Sequence, residues 1–237
     1  MTRKLLVVFA SGLLLATVSS ALAWMMGGAA VTAAISHGHG WNFDSEDGPD
    51  GREELRNLAF DPGQPLEISM PGTLHYRRGA VPALSIRGPK ALVDAVHADQ
   101  GRLSLGAGAW LAHVHGLAIE IVAPQMPALT WSGAGAITLD DVRQPQLDLT
   151  LNGAGNVEAE GHVDRVALRS AGAGNVDLEA LMAHDATVEV SGVGNVDLSA
   201  DGTVDASISG AGNVSLHRKP AVLTSRVSGL GSVDQDY

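Results

Sequence analysis

Residues 131–235 repeat one phrase six times: WSGAGAITL from Trp131, LNGAGNVEA from Leu151, SAGAGNVDL from Ser170, VSGVGNVDL from Val190, ISGAGNVSL from Ile208 and VSGLGSVDQ from Val227. The paired glycines are Gly133 and Gly135, Gly153 and Gly155, Gly172 and Gly174, Gly192 and Gly194, Gly210 and Gly212, and Gly229 and Gly231; their first members are spaced 20, 19, 20, 18 and 19 residues apart. Self-similarity at a fixed period of this size marks a solenoid, in which no unit can bury its own apolar face and each must stack on its neighbours. Between the glycines the text alternates, as in Thr187-Val188-Glu189-Val190, and alternation means strands. No intervening segment has the length or pattern of a crossover helix, so parallel pairing requires a chain that winds round and returns one rung higher. The reading is an all-β chain, a parallel β-helix with coils of about 19 residues.

Within the phrase each position has a part. Two glycines around a small residue suit a sharp corner where positive φ and close rung approach are needed. Asn156, Asn175, Asn195 and Asn213 follow the second glycine in four units, and stacked about 4.8 Å apart they form a structural ladder that satisfies corner polar groups without charge. Val157, Val176, Val196, Val214 and Val233, with Ile137 in the first unit, make the inward column. Six rungs give a stack about 24 Å long.

Residues 58–130 keep the alternation without the glycine phrase, as in Leu66-Glu67-Ile68-Ser69 and Ala118-Ile119-Glu120-Ile121, and read as irregular early coils or a β cap. Only Lys90 to Gln100 suggests a short helix. Residues 36–57 are polar, rich in Gly and Asp, and read as a flexible linker. Further upstream, Arg3 and Lys4 precede an uncharged run that closes on Ala21-Leu22-Ala23, which is the form of a signal peptide over residues 1–23. The uncharged stretch continues to Ile35, long enough to anchor the chain in a membrane if the leader is not cut. Either way the remainder is exported, to the periplasm or cell envelope, and this segment is the chain's route to a membrane.

Composition bounds the chemistry. The 237 residues are 45% hydrophobic and only 4% aromatic, with no cysteine and a formal net charge of −11; loss of residues 1–23 removes two basic residues and no acid, giving 13 − 26 = −13. A narrow aliphatic core fits; a disulfide framework or thiolate metal site is excluded. A nucleic-acid surface, which needs clustered Lys and Arg, is disfavoured.

The repeated S-G-x-G-N-V-D-L, after a leader and a β-rich lead-in ending LAIEIVAPQMPALTWSGAG, resembles the exported bacterial family called putative auto-transporter adhesin head GIN domain, over about residues 58–233. The resemblance implies a right-handed parallel β-helix in the cell envelope, with no catalytic motif to carry over.

Three functional classes are weighed on the residues. The first is a non-catalytic binding or structural module, adhesin-like, whose partner is an envelope protein or glycan; an unpaired coil end also leaves homo-oligomers open. The second is a calcium-stabilised module resembling a β-roll: Glu158, Asp177 and Asp197, with Asp234 beyond a gap at Ser215, stack carboxylates that repel unless a cation or solvent screens them. Calcium rolls use a nine-residue period with Asp two places after glycine, whereas Gly174 to Asp177 is three, so a solvated face with no cofactor is the simpler reading. The third is a polysaccharide lyase or hydrolase, which needs paired carboxylates or a carboxylate–cation cluster on one face. Arg143, Arg165, Arg169, Arg218 and Arg226 are scattered, and Trp110 and Trp131 offer little aromatic surface for sugar. His37 with His39, and His113 with His115, are two-ligand pairs without a third ligand. No catalytic residue is assigned.

Overall fold

The computed structural model describes residues 53–106 and 116–237. The leader and its alternative anchor, most of the linker, and His37, His39, Trp110, His113 and His115 lie outside the described residues.

The glycine repeats wind into a β-solenoid. Strands β9 (Ala134–Leu151), β10 (Ala154–Ser170) and β11 (Val176–Val190) each run round a corner and stack in parallel. Beyond β11 the ladder divides between two walls. On one wall lie β12 (Val196–Ala200), β14 (Val214–Leu216) and β16 (Val233–Gln235); on the other lie β13 (Thr203–Ile208) and β15 (Val222–Val227). The register is that of the sequence phrase: Ile137, Val157, Val176, Val196, Val214 and Val233 are successive partners. The first five are buried and Val233, on the last rung, is half-buried. Each fully buried valine contributes about 1.5–3 kcal/mol, so the narrow core gains stability one rung at a time.

Each coil has a glycine corner and, across from it, a motif-free arc where the register shifts, and the two obey different rules. At the glycine corner Ala134, Ala154, Ala173, Val193, Ala211 and Leu230 are bridged in succession, and rungs approach so closely that a Cβ on Gly174 would sit 1.7 Å from the Gly155 carbonyl oxygen. Gly174 also holds φ +149, which an L side chain rarely adopts. The opposite corner has no motif and absorbs the variation in repeat length. Glu179, Ala180 and Leu181 lie between the paired positions Leu178 and Met182, while the next coil passes directly from Leu198 to Ser199.

The lead-in is more ordered than its sequence suggests. Strands β2 (Leu66–Ser69) and β3 (Gly72–Arg78) form a full rung beneath β8 (Leu129–Trp131) and β9, with Gly72 paired to Gly135. The glycine column therefore starts at Gly72, one rung before the phrase becomes visible. On the other side of this rung lie β6 (Arg102–Leu105) and β7 (Ala118–Ala123), so the β2–β3 rung sits between two coils that both follow it in the chain. Buried Tyr76 on β3 donates its hydroxyl to the Ala123 carbonyl at 3.1 Å, and burial pushes its pKa up to about 12.

The end of the stack is closed by antiparallel strands. β4 (Ala83–Pro89) pairs with β7, and β5 (Val96–Asp99) with β6. The expected helix is present but shorter, α1 covering Lys90–Asp94 before the chain re-enters a strand. The linker reading of residues 36–57 is corrected at its C-terminal end: Glu53–Leu58 is strand β1, antiparallel to β4. Arg56 fixes it by donating to the carbonyls of Val93 and Val96 at 3.3 and 2.9 Å, satisfying backbone acceptors where α1 ends.

Candidate functional site

The outward columns of the solenoid are the candidate site, because the parallel ladder repeats each of them at every rung. Glu158, Asp177, Asp197, Ser215 and Asp234 are successive register partners on one wall, continuing downward through Thr138, His75 and Glu120. The proposed carboxylate column is thus brought together in space. A shallow concavity of about 240 Å³ lies along it, lined by Glu158, Glu160, Asp177 and Glu179. Its members are nonetheless engaged locally. Asp177 Oδ1 accepts from the Glu179 backbone N–H at 3.0 Å, and Asp197 Oδ1 lies 3.1 Å from His217 Nε2. Among the described residues no group of three His, Cys, Asp or Glu side chains converges as metal ligands.

The asparagine ladder runs between side chain and backbone. Oδ1 of Asn156 accepts from the N–H of Asn175 at 3.1 Å, Asn175 from Asn195 at 3.1 Å and Asn195 from Asn213 at 3.3 Å; Asn213 accepts from Ser232 at 3.1 Å. Each rung's amide thus caps a backbone donor on the next one, at the place where the glycine corner leaves the ladder.

Of the five arginines singled out in the repeats, four meet a carboxylate. Arg169 and Arg226 reach Glu189 and Asp205 across rungs at 3.1 Å, Arg165 lies 3.9 Å from Asp185, and Arg143 holds Asp141 at 2.7 Å. Asp141 has φ +50 and also accepts from Arg78 at 3.0 Å; these two guanidinium hydrogen bonds, Arg78 first, hold its pKa below the usual carboxylate value. Arg218 instead lies against the Met182 sulfur at 3.2 Å. Trp131 is 2% exposed and so unavailable for stacking on a sugar.

At the motif-free corner two histidines join coils. His184 Nδ1 lies 2.9 Å from Asp201 Oδ1, and His217 meets Asp197 as above; hydrogen bonding to the carboxylate is the largest cause raising each histidine pKa, with the neighbouring Asp185 adding to it at His184. His184 in turn lowers the pKa of Asp201. Sequence reading missed these pairs, because partners 17 and 20 residues apart meet only once the corner lengths are known.

A larger cleft of about 610 Å³ opens at the capped end, lined by Leu58, Phe60, Leu84 and Leu103 together with Asp99 and Arg102. Arg102 is bound there to Glu67 at 2.8 Å.

Stacked coils with an exposed, periodic set of polar side chains define a β-solenoid. The chain belongs to the family "Putative auto-transporter adhesin, head GIN domain", whose sequence profile matches residues 64–220. Among solved structures it is similar to a "putative adhesin" of Bacteroides fragilis, at 19% identity and TM-score 0.63, covering 79% of this chain and 98% of that one. A "putative adhesin" of Parabacteroides merdae is similar at 17% identity and TM-score 0.45, covering 78% and 97%. The first of these likenesses is one of fold. None of the curated proteins is similar to the chain.

Proposed function

We propose that the protein is an exported, non-catalytic binding module of the bacterial cell envelope, adhesin-like in its mode of contact, whose partner is an envelope protein or glycan held against a lateral wall. The observation that carries this reading is the in-register outward column from Glu120 through Asp177 to Asp234. Backbone hydrogen bonding repeats it about every 4.8 Å, and a partner with its own repeat can meet many such positions weakly at once. Membership of an adhesin-head family supports the same reading.

The test is a crosslinking pull-down with the chain against the producing cell's envelope fraction, with and without calcium, identifying proteins and glycans alike. A saturable partner lost in Asp177→Asn/Asp197→Asn is the expected result. Turnover of envelope polysaccharide, abolished by the same substitutions, would instead show an enzyme. Capture that requires calcium would make the carboxylate column a cation site.

A further inference from the structure

The two ends of the solenoid differ. One is closed by β1, β4 and β5; at the other, among the described residues, no strand pairs with the outer edges of β15 and β16. On the last rung Val227, whose counterparts Ile208 and Val190 are at most 3% exposed, is itself 44% exposed, and Val222 and Leu230, at positions that face outward on earlier rungs too, add apolar surface beside it at 54% and 81%. An open parallel edge of this kind is a template for another strand.

The edge also specifies which strand fits. Val222 and Ser228 donate back to the preceding rung. By the alternation of a parallel ladder, Leu223, Ser225 and Val227 then present their N–H and C=O groups to the open side. We propose that the occupant is a second copy of this chain, its β15 running antiparallel to the first about a two-fold axis through Ser225. In that register Leu223 faces Val227 of the second copy, Ser225 faces Ser225, and all three outward-facing backbone positions are paired. The side chains agree. Leucine packs on valine on the core side, while on the outer side Thr224 meets Arg226 of the second copy, whose guanidinium is already held by its own Asp205 at 3.1 Å, so no bare charge is buried. The contact is self-complementary and closes at two copies. On the opposite wall the same rotation brings Asp234 and Asp236 towards their counterparts, which weakens the contact where charges are poorly screened.

Sedimentation velocity of the full chain over a concentration series tests this. The expected result is a monomer–dimer equilibrium that tightens several-fold between about 0.05 and 0.5 M salt, opposite to an association driven by attraction between charges. Ser225→Pro removes an N–H that the chain's own fold does not use, and should abolish the dimer with unchanged circular dichroism. Because the chain has no cysteine, Ser225→Cys supplies a second readout: residues facing across such a pair lie within disulfide reach, so mild oxidation should give a covalent dimer. Val193→Cys, on the glycine ridge, should not. A chain that stays monomeric at high concentration overturns the proposal. So does a dimer that survives Ser225→Pro and is not trapped by Ser225→Cys.

Discussion

At the glycine corner a single methyl group decides whether a coil can close. Gly174 faces the Gly155 backbone on the rung below, while Ala173 beside it is exposed in a column that elsewhere carries valine and leucine. Gly174→Ala should therefore cost more than about 3 kcal/mol, read as a collapse of the melting temperature, whereas Ala173→Val should stay within about 0.5 kcal/mol. The asparagine column makes a gentler prediction. Replacing Asn175 and Asn195 by Ala removes two acceptors for backbone N–H groups, for a loss of about 1–3 kcal/mol in chemical denaturation. Asp at either position keeps the acceptor and should recover much of that loss, which separates acceptor chemistry from side-chain volume. The phrase itself announced both residue types, since a turn that must be tight and polar at every coil restricts the choice to Gly and Asn. It did not announce Gly72, because Met70-Pro71-Gly72 carries only one glycine, yet the register places it in the same column.

Strands and corners differ in what they reveal. The inward valines and the parallel register are legible because burial forces a period of two. The corner opposite the glycines is not, since its coils pass with unequal numbers of residues and share no side chain. There His184 and His217 gain pKa values above the usual 6.5 by binding Asp201 and Asp197. A group whose pKa is raised on folding stabilises the fold fully below its unfolded value and loses that contribution as pH rises through its folded value. The His184–Asp201 pair adds an acid limit, because the lowered Asp201 pKa withdraws its share as pH falls below the usual carboxylate value of 3.8. Stabilisation from these corners should be greatest between the usual carboxylate value of 3.8 and the usual histidine value of 6.5 and fade as pH rises further, and His184→Gln/His217→Gln should flatten that part of a melting-temperature profile. Both histidines are accessible enough for salt to reduce the effect. Strand β1 escaped the sequence for a related reason: EELRNL is mostly polar because it forms an edge of the cap, half-buried on one side, and an edge strand is not obliged to be apolar.

At the scale of the whole fold, among the described residues, the order of coils in space departs from their order in the chain at one place. The β2–β3 rung accepts β8 and β9 on one side and β6 and β7 on the other, so β6 and β7 lie against a rung already laid down. Repetition cannot reveal this, because the lead-in coils share no phrase and their partners are set by packing between sites far apart in sequence. The consequence is an uneven distribution of stability. Hydrogen exchange at high dilution should find the β10 and β11 amides protected for the longest time and the outward amides of Leu223, Ser225 and Val227 exchanging orders of magnitude faster. Uniform protection along the stack would contradict a ladder that ends openly at β15.

The motif-free corner has a use beyond joining walls. Adjacent coils there differ by the segment Glu179-Ala180-Leu181 without losing register on either wall, so an arc of foreign sequence placed between the exposed Glu179 and Ala180 leaves the buried Leu181 and both walls as they are. Peptides grafted at that latitude on successive coils would stand in single file at an interval set by amide geometry. The protein would then serve as a molecular ruler, graduated in steps of about 4.8 Å.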